Sequence, residues 1–206
     1  MMRNNLQKKI GITGGVGAGK SEVLFYLKSH FNCEVLYADD IGNEVKRKGH
    51  PCYEKIVRLL GEEILDSDGE IMKPVMAEKI FASPELLKKV NEIIHPAVYD
   101  EIMKRMKQAF DKQIPICFIE AALMIEAGYE SFLDEIWVVH ASKEIRMKRL
   151  MDTRGYSKER VEQIFQRQLE EDEFIKHATR VIYNSSSKEE LERQINAIMG
   201  ELLCSQ

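Results

Sequence analysis

Lys9-Ile10-Gly11-Ile12-Thr13-Gly14-Gly15-Val16-Gly17-Ala18-Gly19-Lys20-Ser21 begins apolar, turns glycine-rich and ends on a lysine and a hydroxyl. Lys9 to Thr13 reads as a short buried strand, and from about Gly19 to His30 the residues Val23, Leu24 and Leu27 share one helical face. Between them, Gly14 to Ser21 fits G-x-x-x-x-G-K-[ST], the phosphate-cradling P-loop, in the strand, loop, helix setting that this motif requires. Phosphate oxygens need several converging backbone N–H groups, and glycine at 15, 17 and 19 lets the main chain wrap that closely. Lys20 then supplies a point charge to the β and γ phosphates, Ser21 offers a hydroxyl to Mg²⁺, and the helix N-terminus adds its positive dipole end. The residues expected to hold ATP are Gly14, Gly15, Val16, Gly17, Ala18, Gly19, Lys20, Ser21 and Glu22, with Ser21 as the Mg²⁺ ligand among waters. Such a loop serves small-molecule kinases, GTPases and mechanical ATPases alike. The chain has no N-K-x-D guanine-reading segment, which counts against a GTPase switch, and no G-x-G-x-x-G dinucleotide fingerprint at the loop.

Outward from the loop, Glu34 to Ala38, Ile114 to Glu120, Glu135 to His140 and Arg180 to Tyr183 read as four further short strands separated by helical sequence. The alternation predicts an α/β fold: a P-loop NTPase-type parallel five-stranded sheet with helices on both faces and ligands beyond the carboxyl ends of the strands. About 41–113 is too long for a simple crossover. It shows helical spacing at Val98, Ile102, Met106 and Phe110, a turn at Asp68-Gly69, a helix start at Ser83-Pro84 and no convincing strand, and is expected to be a helical acceptor-binding insertion. About 143–177, rich in Arg and Lys and broken near Gly155, is expected to be a helical lid. A closing amphipathic helix carries Leu191, Ile195, Ile198 and Leu202 behind a Ser187 and Glu190 capping box. The expected organisation is one domain over 1–206, with its core in about 8–40, 114–142 and 178–206.

With 206 residues, 44% hydrophobic and 31% charged, the composition is that of an ordinary globular protein with ample core. A net charge of −4 gives no general attraction to nucleic acid. Cys33, Cys52, Cys117 and Cys204 are scattered without CxxC spacing, so reduced thiols are expected and neither a disulfide framework nor a zinc site. Met1 to Lys9 is polar and no apolar run reaches membrane-spanning length, so a cytoplasmic protein with no membrane partner, most simply a monomer, is expected.

From Ile10 to about Asn184 the motifs resemble, in order, those of the dephospho-CoA kinase family. Gly11 to Ser21 looks like that family's P-loop with its paired Gly14-Gly15, and Ala38-Asp39 is similar to the second half of its D-A-D. His95-Pro96 matches its H-P, and Leu123-Met124-Ile125-Glu126 resembles its P-L-L-F-E. Arg149-Leu150, Gly155 to Ser157, Gln168 and Val181-Ile182-Tyr183-Asn184 follow its lid and last strand. The resemblance implies transfer of the γ-phosphoryl of ATP to the ribose 3′-hydroxyl of dephospho-CoA, the last step of coenzyme A synthesis, on a fold like that of nucleoside monophosphate kinases. Departures stand at Tyr37 for the first Asp of D-A-D, Asn43 and Lys73 for arginines, Ala122 in P-L-L, Thr179 for Asp, and Thr153 with Arg154 where the second lid arginine falls.

A ribose hydroxyl is a weak nucleophile, so a carboxylate beside it must take its proton. Asp39, just past a strand taken to adjoin the P-loop strand, is the candidate base. A helix cap or a water-mediated Mg²⁺ contact is its other reading, and the family match favours catalysis. Arg149 and Arg154 are the lid cations that would meet the phosphates, with Arg149 counted as catalytic beside Lys20; solvated or carboxylate-paired arginines are the plain alternative. His95, Glu126 and Lys73 are the candidate acceptor contacts, against a structural hydrogen bond for His95 at a junction of two helices and helix capping for Glu126. Two other functions stay open: a different P-loop nucleoside or nucleotide kinase, and a nucleotide-binding regulatory protein without turnover.

Overall fold

The computed structural model describes residues 7–204; most of the polar N-terminal stretch lies outside them. In chain order the elements are β1 (Lys8–Thr13), α1 (Lys20–His30), β2 (Cys33–Tyr37), α2 (Ala38–Glu44), α3 (Pro51–Leu60), α4 (Lys73–Phe81), α5 (Pro84–Asp111), β3 (Ile116–Glu120), β4 (Glu135–His140), α6 (Lys143–Arg154), α7 (Lys158–Gln166), α8 (Glu171–Lys176), β5 (Arg180–Tyr183) and α9 (Lys188–Cys204). The third strand starts later than the apolar pattern predicts, because Pro115 has no N–H to give the ladder. Its carbonyl still accepts from Lys8 N at 2.9 Å.

The strands form one parallel sheet in the order β2-β3-β1-β4-β5. Ile10 sits opposite Phe118 on β3 and Glu135 on β4, and Trp137 sits opposite Arg180 on β5. β2 is thus an edge strand beside β3, not beside the P-loop strand as expected, because β3 takes the place next to β1. The consequence favours ligand binding at the loop. The chain passes to one side of β1 for β3 and to the other for β4, so the carboxyl end of β1 lies where the winding reverses and a crevice opens.

Two compact units divide the chain: residues up to Leu36 together with those from Gln108 on, and Tyr37–Lys107. In the first, Ile10, Ile12, Phe118, Trp137 and Val139 from the sheet pack with Val23, Leu24 and Leu27 of α1 and Leu191, Ile195, Met199 and Leu202 of α9. Met199 takes the buried place expected of Ile198, which packs only partly. Phe118 and Trp137, both fully buried, meet edge to face with ring centroids 5.3 Å apart. Ser142 and Ser157 cap α6 and α7, Gly155 ends α6 at φ 62, and Ser187 Oγ accepts from Glu190 N at 3.3 Å to open α9.

The second unit is helical apart from a single bridge, Leu65 to Ile71, across the Asp68-Gly69 turn. Asp66 Oδ1 holds that turn by accepting from the backbone N–H groups of Asp68 and Glu70, both at 2.9 Å. α5 starts at Pro84 as the Ser83-Pro84 pair predicts and buries Val98, Ile102 and Met106, with Ala109 taking the inward place expected of Phe110. His95 does not join two helices. α5 runs unbroken through Pro96, giving up one i to i−4 hydrogen bond there.

Phe118→Ala is expected to cost the first unit about 3–5 kcal/mol. The urea midpoint, read by the fluorescence of Trp137, the sole tryptophan, should fall accordingly.

Candidate active site

The P-loop spans the end of β1 and the start of α1, and α6 and α8 run against it. Thr13, fully buried at the strand end, donates from Oγ1 to Ala121 O at 3.1 Å, which ties the loop's origin to the segment after β3. Lys20 Nζ folds back to donate to Gly14 O at 2.8 Å and stands 3.8 Å from a Glu120 oxygen. The loop's ammonium therefore already lies over its cradle, held by one carbonyl and one carboxylate. Ser21 is exposed in the first turn of α1.

Arg149, expected as a lid cation over the phosphates, spends both terminal nitrogens on the outer side of the loop. Nη1 donates to Gly17 O and Ala18 O at 3.4 and 3.2 Å, and Nη2 to the Asn184 carbonyl and side-chain oxygens at 2.9 and 3.3 Å. Asn184 is 3% exposed and is one of two buried polar residues among those described; its Nδ2 donates to Ala18 O at 3.0 Å and to Glu22 Oε2 at 3.4 Å. Gly19, at φ 96, must lack a side chain for this arrangement, since a Cβ there would run into the Asn184 amide. Asn184 and Glu22, one on each side of the loop, thus share one hydrogen-bonded network. Arg154, the other predicted lid cation, ends α6 exposed, and Thr153 Oγ1 donates to Arg149 O at 2.6 Å within that helix.

Two contacts here were not assigned from the sequence. Val16 N donates to Gln168 Oε1 at 3.1 Å, so the segment between α7 and α8 already holds one N–H of the cradle. Arg146 lies against Gly15, where any Cβ would strike its guanidinium, and covers the Phe165 ring at 4.7 Å. Its Nε and His140 Nδ1 are buried without hydrogen-bond partners among the described residues, and both line a small cavity of about 20 Å³ with Gly15, Ala18 and Glu171. Burial pushes the Arg146 pKa down, partly offset by Glu171, whose carboxylate pairs with His140 Nε2. The signal for Arg146 was its place three residues before Arg149 on one helix, which puts both on the face toward the loop. Gln168 and Asn184 fell within matched motifs but carried no assigned chemistry.

In the second unit Asp39 is exposed in the first turn of α2, one residue after Ala38 begins the helix. Lys73 opens α4, exposed, and lines a cavity of about 420 Å³ together with Asn43, Lys46 and Arg47. His95 is exposed on α5. Glu126, in the first unit, is exposed in the turn that follows β3. All four cysteines are thiols; burial pushes Cys33 up to about 11 and Cys117 up to about 12, which makes both inert at neutral pH. Among the described residues no helix is long and apolar enough to cross a membrane.

A family model described as dephospho-CoA kinase matches residues 8–190. The chain belongs to the dephospho-CoA kinase family. The curated dephospho-CoA kinase of Aquifex aeolicus is 37% identical over 195 residues, covering 95% of this chain and 97% of that protein. That of Dehalococcoides mccartyi is 35% identical over 197 residues, covering 95% and 98%. The crystal structure of TT1252 from Thermus thermophilus superposes with a TM-score of 0.81 at 32% identity, covering 95% of this chain and 98% of that one. The activity is therefore ATP-dependent phosphorylation of dephospho-CoA, a phosphotransfer to a hydroxyl in coenzyme A synthesis. One departure from the dephospho-CoA kinase motifs has a visible local account. Thr179, where the family has Asp, keeps an oxygen acceptor: its Oγ1 takes Ile136 N at 3.0 Å while its own N donates to Ile136 O at 2.8 Å, pinning β5 to β4.

Asn184→Leu should remove one of the two donors to Ala18 O, the partner of Glu22 and one of the acceptors of Arg149 Nη2, loosening the loop's outer side. ATP affinity by calorimetry is expected to fall about tenfold or more.

Proposed function

We propose that ATP is bound at Gly14 to Glu22 and that Asp39 is the base that activates the ribose 3′-hydroxyl of dephospho-CoA. The hydroxyl oxygen bonds to the γ-phosphorus, the bond from that phosphorus to the β,γ-bridging oxygen breaks, and the hydroxyl proton passes to the Asp39 carboxylate. The products are coenzyme A and ADP. The observation that carries the reading is the P-loop itself, with its lysine folded over the cradle and its outer carbonyls satisfied by Arg149 and Asn184. A loop held this way loses little further freedom when phosphate arrives.

Lys20 follows the γ-phosphoryl through transfer as a fixed positive charge, and Arg149 keeps the loop in shape. Arg146, beside Gly15, and Arg154 add positive charge on the lid side. Lys73, His95 and Glu126 are assigned to the acceptor. A phosphate oxygen that took the Val16 N–H would release Gln168, coupling nucleotide binding to the lid segment. For Mg²⁺, the described residues offer no cluster of three acidic, His or Cys ligands, whereas the exposed Ser21 hydroxyl is a hard oxygen that fits the ion when it arrives with the triphosphate. The ion would supply charge neutralisation on the phosphates. The protein is assigned to the cytoplasm as a monomer.

The test is turnover with Mg²⁺, ATP and dephospho-CoA, with mass spectrometry for one added phosphoryl group. Asp39→Asn should keep ATP affinity and lose about 10²- to 10⁴-fold in kcat; near-normal kcat removes Asp39 as base. Lys20→Ala should abolish measurable transfer, and an unchanged rate there would overturn the P-loop assignment. Product from a nucleoside panel but none from dephospho-CoA would assign a different acceptor.

A further inference from the structure

Arg146 runs along the P-loop from Gly17 to Gly15. A Cβ on Gly17 would stand 3.2 Å from the Arg146 Cβ, and one on Gly15 would strike Nη1. The Phe165 ring lies 4.7 Å from the guanidinium carbon. Arg146 forms no ion pair among the described residues. A ring contact and close packing confine a guanidinium, but hydrogen bonds are what aim its N–H groups.

The buried Nε of Arg146 and the buried Nδ1 of His140 have no partner among the described residues, and both residues line the cavity of about 20 Å³ that Gly15 also borders. Their chemistry is complementary. His140 Nε2 pairs with the Glu171 carboxylate, and an ionised carboxylate only accepts. Nε2 therefore carries the hydrogen, and Nδ1 of the neutral ring is an acceptor. Arg146 Nε–H can only donate. The imidazole is also held by Tyr183, which it meets edge to face with ring centroids 5.4 Å apart. One buried donor and one buried acceptor on a space about the size of a single water define a water site.

We infer that a bound water in this cavity accepts from Arg146 Nε–H and donates to His140 Nδ1, so that Glu171, His140 and the water form a relay that positions the Arg146 guanidinium against the P-loop. The inference rests on ATP being bound at that loop. His140 and Glu171 are then positioning residues for a cation beside the nucleotide. The relay does what a direct ion pair could not. A carboxylate on the guanidinium itself would cancel the charge that phosphates are to meet, whereas one placed a ring and a water away fixes its orientation and leaves that charge largely intact. Donors and acceptors run in one direction, from guanidinium through water and imidazole to carboxylate, so each bond polarises the next. Glu171 already acts on Arg146 at a distance, offsetting part of the lowering of its pKa by burial. Glu171 also opens α8, three residues after Gln168, whose Oε1 takes the Val16 N–H. The segment between α7 and α8 and the start of α8 thus reach the loop twice, once directly and once through the relay.

The experiment is a cycle of variants read by ATP affinity in calorimetry, with a crystal structure of the unaltered protein at a resolution that shows ordered water. Arg146→Met is expected to weaken ATP binding about tenfold, and Glu171→Gln, at a half-exposed position, about threefold. Because Glu171 acts through Arg146, the double variant should bind ATP no more weakly than Arg146→Met alone. Losses that multiply in the double variant overturn the relay, since a Glu171 of merely structural use acts independently of Arg146. Unchanged ATP affinity in Glu171→Gln overturns it too. So does a Glu171→Gln effect that persists undiminished in the His140→Phe background, which would mark direct action across space, and so does density without a water between the two nitrogens. If the unaltered protein binds no ATP, the P-loop reading fails and this inference with it.

Discussion

A loop that turns its backbone N–H groups inward to meet phosphate must turn carbonyl oxygens outward, and buried carbonyls need donors. That constraint organises the first unit. Gly17 O and Ala18 O are met by Arg149, and Ala18 O a second time by Asn184 Nδ2. Asn184 is held by its own backbone N–H, which donates to His140 O at 2.7 Å, and by its side-chain contact with Glu22. Strand β5, strand β4, helix α6 and the loop are thereby locked to one another through a handful of hydrogen bonds, largely shielded from water. In such a setting each bond counts for more than it would at the surface, and the loss of one member strands the others.

Sheet order supplies the second constraint. Because β3 and β4 lie on opposite sides of β1, the P-loop opens at the winding reversal, and the segments after β3 and β4 flank it. Glu120 at the end of β3 comes within 3.8 Å of Lys20 for this reason, and His140 at the end of β4 reaches the cavity wall beside Gly15. The residues that gather around the phosphate cradle are thus drawn from strand ends far apart in sequence, which is what a parallel sheet with crossover helices delivers.

The fold was legible from the sequence wherever one local pattern decided the outcome. Four of the five strands, the P-loop context, the Gly155 break and the Ser187 cap depend on short-range periodicity or turn chemistry, and the structure follows them to within a residue; the other strand, β3, differs only because Pro115 interrupts its start. What periodicity does not encode is lateral strand order, so β2 was placed beside β1 when β3 occupies that position. The same holds for the junction at His95-Pro96: proline weakens a helix locally, but the buried stripe of Val98, Ile102 and Met106 on α5 outweighs one lost hydrogen bond. In the site, the loop residues were visible because their spacing is itself the chemistry. The direction of an arginine was not. Arg149 and Arg146 sit three residues apart on α6, yet one is spent on carbonyls and the other lies against Gly15 with an unpartnered nitrogen, a difference set by which atoms the fold brings opposite them.

Partnering separates the chain's cations into two populations, and the division has a physical meaning. Lys79, Arg105, Arg180 and Arg193 each meet a carboxylate at exposed or half-exposed positions, where such pairs add little to stability but leave no charge unanswered. Lys46, Lys73 and Arg146 have no ion pair among the described residues, and burial depresses two of the three. A chain of net charge −4 has ample carboxylate to neutralise them had stability alone been at stake. Both substrates of a dephospho-CoA kinase carry their charge on phosphates, and a cation already paired with a carboxylate must break that pair before it can meet one. On the proposed assignment of Lys73 to the acceptor and Arg146 to the lid side of the nucleotide, the unpaired state leaves each of these two groups ready to meet a phosphate with no ion pair to break, at a small cost to the empty protein for the half-buried one.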